Sequence, residues 1–355
     1  MKKIKRFFDR LSKKQKIIMA IVFLLIIIAI ALLVVFLVLG KEDEPKPRKP
    51  RKKTPNTVSI VDLKSKTRPY AVMINNLNEA RVVQSGLTDA YMVYEIVAEG
   101  GITRYLALFR DTDVEKIGSV RSARHYYLDY VLENDAIYVH WGWSPQAQSD
   151  IRSLGINNIN GLAYEGVYFY RDNPFGIASE HTGFTDTERL DKAVDKLGYR
   201  SETDKGLLLD YSAKSVDLSK NGDTEEASKV TLNYSNYITD VYEYDEKAKV
   251  YNRFVNGKEQ KDYAADKNLT VKNIIIYQVA NYGVPGDAKG RQNLDNIGSG
   301  EGYFVTEGKS IKIKWSKSGR AEKTKYTYED GTEIKVNDGN TFIQIVPTTG
   351  SIVIE

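Results

Sequence analysis

The sequence contains no cysteine and only three histidines, His125, His140 and His181. The first absence excludes disulfides, thiolate catalysis, zinc–cysteine centres and a lipidated cysteine. The second argues against a histidine-rich metal site. There is no phosphate-cradling loop of the Walker type, no GxSxG elbow and no HExxH pair. The glycines of "NIGSGEGY" open no helix, so a dinucleotide-binding reading lacks its context. What the chain has in excess is local. Residues 1–53 carry 15 Lys/Arg and 4 Asp/Glu, a net +11 within a chain of +4. The remainder is −7, acidic where a nucleic-acid binder would be basic, so no nucleic-acid partner is expected.

Residues 17–39, "IIMAIVFLLIIIAIALLVVFLVL", are 23 consecutive apolar residues. A helix needs roughly 20 to cross a bilayer core. A cleaved signal peptide has a core of about 7–15 and a small-residue cleavage site. Gly40-Lys41-Glu42 is a poor site, and the run reads as an uncleaved membrane anchor. Eight Lys/Arg precede it and seven lie within 41–53. That slight bias places the N-terminus in the cytoplasm and residues 41–355 outside, in a single pass of the cell membrane. The expected organisation is a basic cytoplasmic segment 1–16, the anchor 17–39, a Pro/Lys-rich linker 40–58, an α/β domain 59–200, a connector 201–228 and an all-β domain 229–355.

Within 59–200 the runs "PYAVMIN", "AYMVYEIV", "ITRYLALF" and "AIYVHW" have strand length and strand composition. Glu99-Gly100-Gly101 marks a hairpin between the second and third. Helices are predicted over 122–133 with Ser122 as cap, over 145–154 with Ser144 as cap and Pro145 at the first position, and over 186–197 with Gly198 after the end. From 229 onward alternating strands recur between turns such as Asn256-Gly257 and Asp330-Gly331. They predict a sandwich or a partly closed barrel.

The candidate site gathers near the strand ends of the α/β domain, where open sheets bind ligands. Arg104 and Arg110 lie on or after the third strand, and Arg121, Arg124 and His125 follow in "VRSARH". His140 and Trp143 end the fourth strand, and Arg171 and His181 lie in later loops. Guanidinium groups match carboxylate and phosphate oxygens, so the set points to a polar or anionic envelope ligand, with a cell-wall glycan or another anionic ligand as the expected partner. The alternative for Arg121 and Arg124 is a structural network with Asp89, Glu95 or Glu99.

The blocks "RPYAVMINN", "QSGLTDAYMVYEIVAEGGITRYLALF", "IGSVRSARHYYLDY", "YVHWGWSPQA" and "YFYRD" resemble the N-terminal domain of the YerB-like family. These are bacterial extracytoplasmic proteins of uncharacterised function. "YEYDEKAKVYNRFVNGK", "VKNIIIYQV", "GSGEGYFV" and "GNTFIQIVP" are similar to that family's C-terminal domain. The resemblance spans roughly residues 60–354 and implies an α/β domain followed by a β domain. Family members are often lipoproteins; here the apolar helix would replace the missing lipidated cysteine. A family loop reading His-Asn is His181-Thr182 in this chain. A fainter likeness to LytR–CpsA–Psr enzymes implies glycan transfer from a polyprenyl pyrophosphate. Arg104, Arg110, Arg121 and Arg124 would then be the anion clamp, with magnesium assisted by Asp89 or Asp111. Otherwise no cofactor is expected. A third reading is a structural or protein-interaction scaffold.

Overall fold

The computed structural model describes residues 12–39 and 57–355. The chain forms two compact units, one within residues 1–50 and one spanning 51–355. The first holds helix α1, Lys13–Leu39. Ser12 and Gln15 cap each other: the Gln15 N–H donates to Ser12 Oγ at 3.3 Å, and the Ser12 N–H donates to Gln15 Oε1 at 2.9 Å. The helix therefore starts inside the basic segment and runs on through the apolar stretch. It is long and apolar enough to cross a membrane. Residues 1–11 and 40–56, most of the expected basic segment and linker, lie outside the described residues.

In the second unit the N-terminal half supplies five principal strands. These are β1 (Tyr70–Asn75), β2 (Met92–Val97), β3 (Thr103–Phe109), β4 (Ile137–His140) and β5 (Asn158–Asn160). The C-terminal half supplies β6 (Thr224–Glu226), β7 (Lys229–Asn233), β8 (Thr239–Asp245), β9 (Val250–Val255), β10 (Asn273–Val279), β11 (Gly298–Thr306), β12 (Lys309–Lys317), β13 (Lys325–Thr327), β14 (Thr341–Pro347) and β15 (Ser351–Ile354). β2 and β3 form the predicted hairpin, with Met92 opposite Leu108 and Val97 opposite Thr103. Helix α3 (Pro145–Ser153) starts where Ser144 Oγ accepts from the Ala147 N–H, and α4 (Thr187–Leu197) ends at Gly198 in the left-handed region. The first predicted helix is shorter than its pattern. A 3₁₀ turn over His125–Tyr127 precedes α2 (Leu128–Glu133), and Ser122 Oγ donates to the Trp141 carbonyl instead of capping.

The two halves do not make two bodies. One eleven-stranded sheet runs β6-β12-β11-β10-β14-β2-β3-β1-β4-β5, with β13 beside β12. The seam is β14, parallel to β2 on one side and to β10 on the other. The β-rich half thus extends the α/β sheet, and its strands lie in two facing sheets, one of them shared with the N-terminal half, so the expected layers form without a separate domain. The connector is structured too, since β6 pairs with β12. Both faces of the sheet are covered, which explains the nearly continuous apolar strands. Met73, Tyr94, Ile96, Leu106 and Tyr277 face α2 and α3. Val72, Val93, Ala107 and Ile276 face α4 and a second sheet containing β9-β8-β7-β15.

The second sheet meets the first through a buried ion cluster. Arg253, on β9, is fully buried between Glu95 of β2 and Asp240 of β8, at 2.5 and 2.6 Å from Nη2. Its Nε donates to the Tyr242 hydroxyl at 2.9 Å and its Nη1 to the Tyr105 hydroxyl at 2.8 Å, while Gln260 Oε1 also accepts from Nη1. Burial, with Glu95 alongside, pushes Asp240 well above the ordinary carboxylate range despite the guanidinium. Replacing Arg253 by methionine leaves two buried carboxyls without their cation. The expected loss is about 3–5 kcal/mol, read as a lower urea midpoint for the full chain in detergent.

Candidate functional site

The arginines picked out by the sequence are spread over several places. Arg104 starts β3 and Arg110 follows its end, so about 20 Å of strand separates them. Arg104 Nη2 lies 3.2 Å from Glu99 Oε2, its Nη1 donates to the Ser122 carbonyl at 2.6 Å, and Arg124 Nε donates to Glu99 Oε1. Burial, then the neighbouring Arg124 charge, lowers Arg104 to about 10. Glu99 is held below its ordinary value because Arg104 and Arg124 outweigh its burial. This cluster is the structural network anticipated for Arg124, with Glu99 as the partner. Arg121 turns elsewhere: Nη1 donates to the Glu180 carbonyl and Nη2 to Glu180 Oε1, both at 3.0 Å. Arg110 donates to the Ser65 carbonyl and lies 3.8 Å from Asp111. A four-arginine clamp is not assembled. Among the described residues no three His, Asp or Glu side chains are placed to hold a metal ion, and Asp89 stands beside Asp262.

The histidines and tryptophans are mostly interior groups. His140 is fully buried, with Nδ1 2.9 Å from the Gly142 carbonyl and Nε2 3.1 Å from Asn158 Oδ1. Burial lowers its pKa to about 4. Trp143 packs on its ring at 5.5 Å. Trp141 fits because Gly161 and Gly183 leave no Cβ against it, and the Arg171 guanidinium lies 4.5 Å over its ring. Arg171 also pairs with Glu165 at 2.6 Å. His125 lies edge-on to Tyr126, and its carbonyl accepts from Arg320. His181 is buried beside Asn75, whose Oδ1 accepts from the Leu77 N–H. The amide nitrogen therefore faces His181 Nδ1 at 2.8 Å and donates to it, which puts the ring proton on Nε2. Burial, then the Arg121 charge, lowers the His181 pKa.

A cleft that the sequence reading did not select lies between the two halves. Its volume is about 900 Å³, in the range of small-molecule sites. One wall is the 3₁₀ turn Asn78–Val83 with the loop carrying Phe175 and Ile177; the other is residues 258–266. Gln260 forms part of the floor and is fully engaged, since its Nε2 donates to Gln84 Oε1 at 2.7 Å and to the Tyr105 hydroxyl at 3.2 Å. Behind it lies Arg253. Arg81 lines the cleft with its Nε–H on Asn76 and no carboxylate of the described residues within 4.0 Å of its guanidinium. Arg104, Arg121, Arg124 and Arg171 each pair with an acid, whereas Arg81 meets only Asn76 through its Nε–H and leaves its outer nitrogens for a ligand. Nothing local in "LNEARVVQ" marks this. The pairing comes from distant residues.

The two halves of the chain are also told apart by comparison with known proteins. Residues 57–200 match "Protein of unknown function (DUF3048) N-terminal domain" and residues 230–343 match the corresponding C-terminal domain. The chain belongs to the DUF3048 family. It is 34% identical over 286 residues to the Bacillus subtilis protein described as "Putative lipoprotein YerB", covering 79% of this chain and 81% of that protein. It is similar to the crystal structure of YerB from Bacillus subtilis, with TM-score 0.71 and 31% identity over 85% of this chain and all of that one.

Two outcomes test this assignment of roles. Glu99→Gln leaves Arg104 and Arg124 without their shared anion and lowers stability by about 3–5 kcal/mol. Arg121→Ala removes an exposed pair and costs less than about 1 kcal/mol. Both are read by urea denaturation of the full chain in detergent. His140 is neutral in the fold down to about pH 4. The unfolded chain takes up that proton from about pH 6.5, so stability falls as pH drops between these values, by about 3 kcal/mol in all. His140→Gln flattens this part of the acid limb.

Proposed function

We propose that the protein is a single-pass, membrane-anchored extracytoplasmic binding protein, with a cytoplasmic N-terminus and the 51–355 unit outside the cell. Its ligand is a polar envelope molecule carrying an anionic group, held in the cleft beside Arg81. The observation that carries this reading is the Arg81 guanidinium, which meets Asn76 but no carboxylate, in a 900 Å³ cleft, while the arginines first selected are committed to internal partners. Membrane attachment is supported by α1 and by the lipoprotein description of the Bacillus subtilis relative. The sequence has no cysteine to lipidate, so the helix serves as the anchor. Binding is favoured over glycan transfer because the four-arginine clamp that transfer was expected to use is divided among separate places.

The test is calorimetric titration of the full chain in lipid nanodiscs with soluble cell-wall fragments. Removal of a charge-assisted hydrogen bond costs about 1.5–3 kcal/mol, so Arg81→Ala weakens binding roughly tenfold to a hundredfold. Arg121→Ala leaves affinity within about twofold. Loss of binding in Arg121→Ala with Arg81→Ala unchanged would return the site to the "VRSARH" segment.

A further inference from the structure

We infer that the cleft is a saccharide site, and that its ligand is an uncharged sugar backbone bearing isolated carboxylates. This rests on the cleft being the ligand site.

The first observation is an aromatic ring fixed in the open. Phe175 is 53% exposed and lines the cleft. It sits in the turn Asn173-Pro174-Phe175-Gly176, where Gly176 takes φ +64°. Asn173 closes the turn twice. Its Oδ1 accepts from the Ile177 N–H at 2.9 Å and its Nδ2 donates to the Ile177 carbonyl at 2.8 Å. Across the cleft Tyr263 meets the Phe175 ring edge-on at 5.5 Å. Its backbone N–H is anchored to the Gln84 carbonyl at 2.7 Å. Two rings are thus held in place before any ligand arrives, which lowers the ordering cost of binding. Aromatic faces take the C–H faces of sugar rings, and the planar polar groups of Asn78 and Arg81 suit hydroxyl, amide and carboxylate oxygens.

The second observation is charge. The accessible ionic groups lining the cleft are Arg81, Lys258 and Lys261 against Glu79, Glu259 and Asp266, which sum to zero. A polyphosphate chain would meet three carboxylates, whereas one carboxylate placed at Arg81 would not. The third observation concerns the backbone. Gln260 donates its N–H to the Arg253 carbonyl and accepts from the Leu269 N–H, and residues 261 and 262 pair with 268 and 267. The lining offers no continuous run of unpaired N–H and C=O groups for a peptide strand to add to.

The experiment titrates the full chain in nanodiscs with four probes. They are peptide-free peptidoglycan glycan oligomers, whose muramic acid residues carry free carboxylates, neutral N-acetylglucosamine oligomers, the free stem peptide and poly(glycerol phosphate). The acidic glycan binds at least tenfold tighter than the neutral one. Arg81→Gln removes that difference, and Phe175→Ala weakens both glycans at least tenfold while circular dichroism and melting stay unchanged. Stem peptide or poly(glycerol phosphate) binding more tightly than the acidic glycan, and lost in Phe175→Ala, keeps the cleft and overturns the saccharide. Glycan binding untouched by both substitutions overturns the cleft itself. No glycan binding at all overturns the inference.

Discussion

The buried Arg253 cluster is the constraint on which the 51–355 unit turns. A lone guanidinium in an apolar interior is prohibitive, and so is a lone pair of carboxyls. Each half of the chain brings what the other requires. Glu95 and Tyr105 come from the first half, and Asp240, Tyr242, Gln260 and the arginine from the second. The arrangement is directional, so it fixes how the smaller sheet lies on the larger one. It also determines the cleft, because Gln260 reaches from this cluster to form part of its floor. A hydrophobic seam could have held the sheets together as firmly, but it would not have set the position of that side chain.

Local order was largely readable in the residues. The β2–β3 hairpin follows from Glu99-Gly100-Gly101 between two β-rich runs, and α3 and α4 from Ser144, Pro145, Asp186 and Gly198. The single shared sheet was not readable, since β2 and β14 are parallel strands nearly 250 positions apart and leave no mark on each other's sequence. Arg253 did leave one. In β9 it alternates in phase with Tyr251 and Val255, which face the core, so an arginine occupies an inward position. Read that way, it asks for an acid on a neighbouring strand.

The functional residues show why charge type alone misleads. Arg104, Arg121, Arg124 and Arg171 look like a collection of anion sites in one dimension. In three dimensions each is answered by an acid of the chain: Glu99 takes two of them, Glu180 and Glu165 one each. What distinguishes a binding arginine is the absence of such an answer, and that depends on the company the fold provides. Arg81 sits in an undistinguished segment, yet its guanidinium meets Asn76 and no carboxylate of the described residues.

The position of β14 has a consequence for how the protein is made. This strand lies in the middle of the great sheet but near the end of the sequence described here. Until it arrives, β2 presents a bare apolar edge, open to pairing with any passing strand. The sheet therefore stays open at this edge until residues 341–347 have been made. On the orientation proposed above, in which this unit crosses the bilayer before it folds, late closure keeps the sheet from locking early.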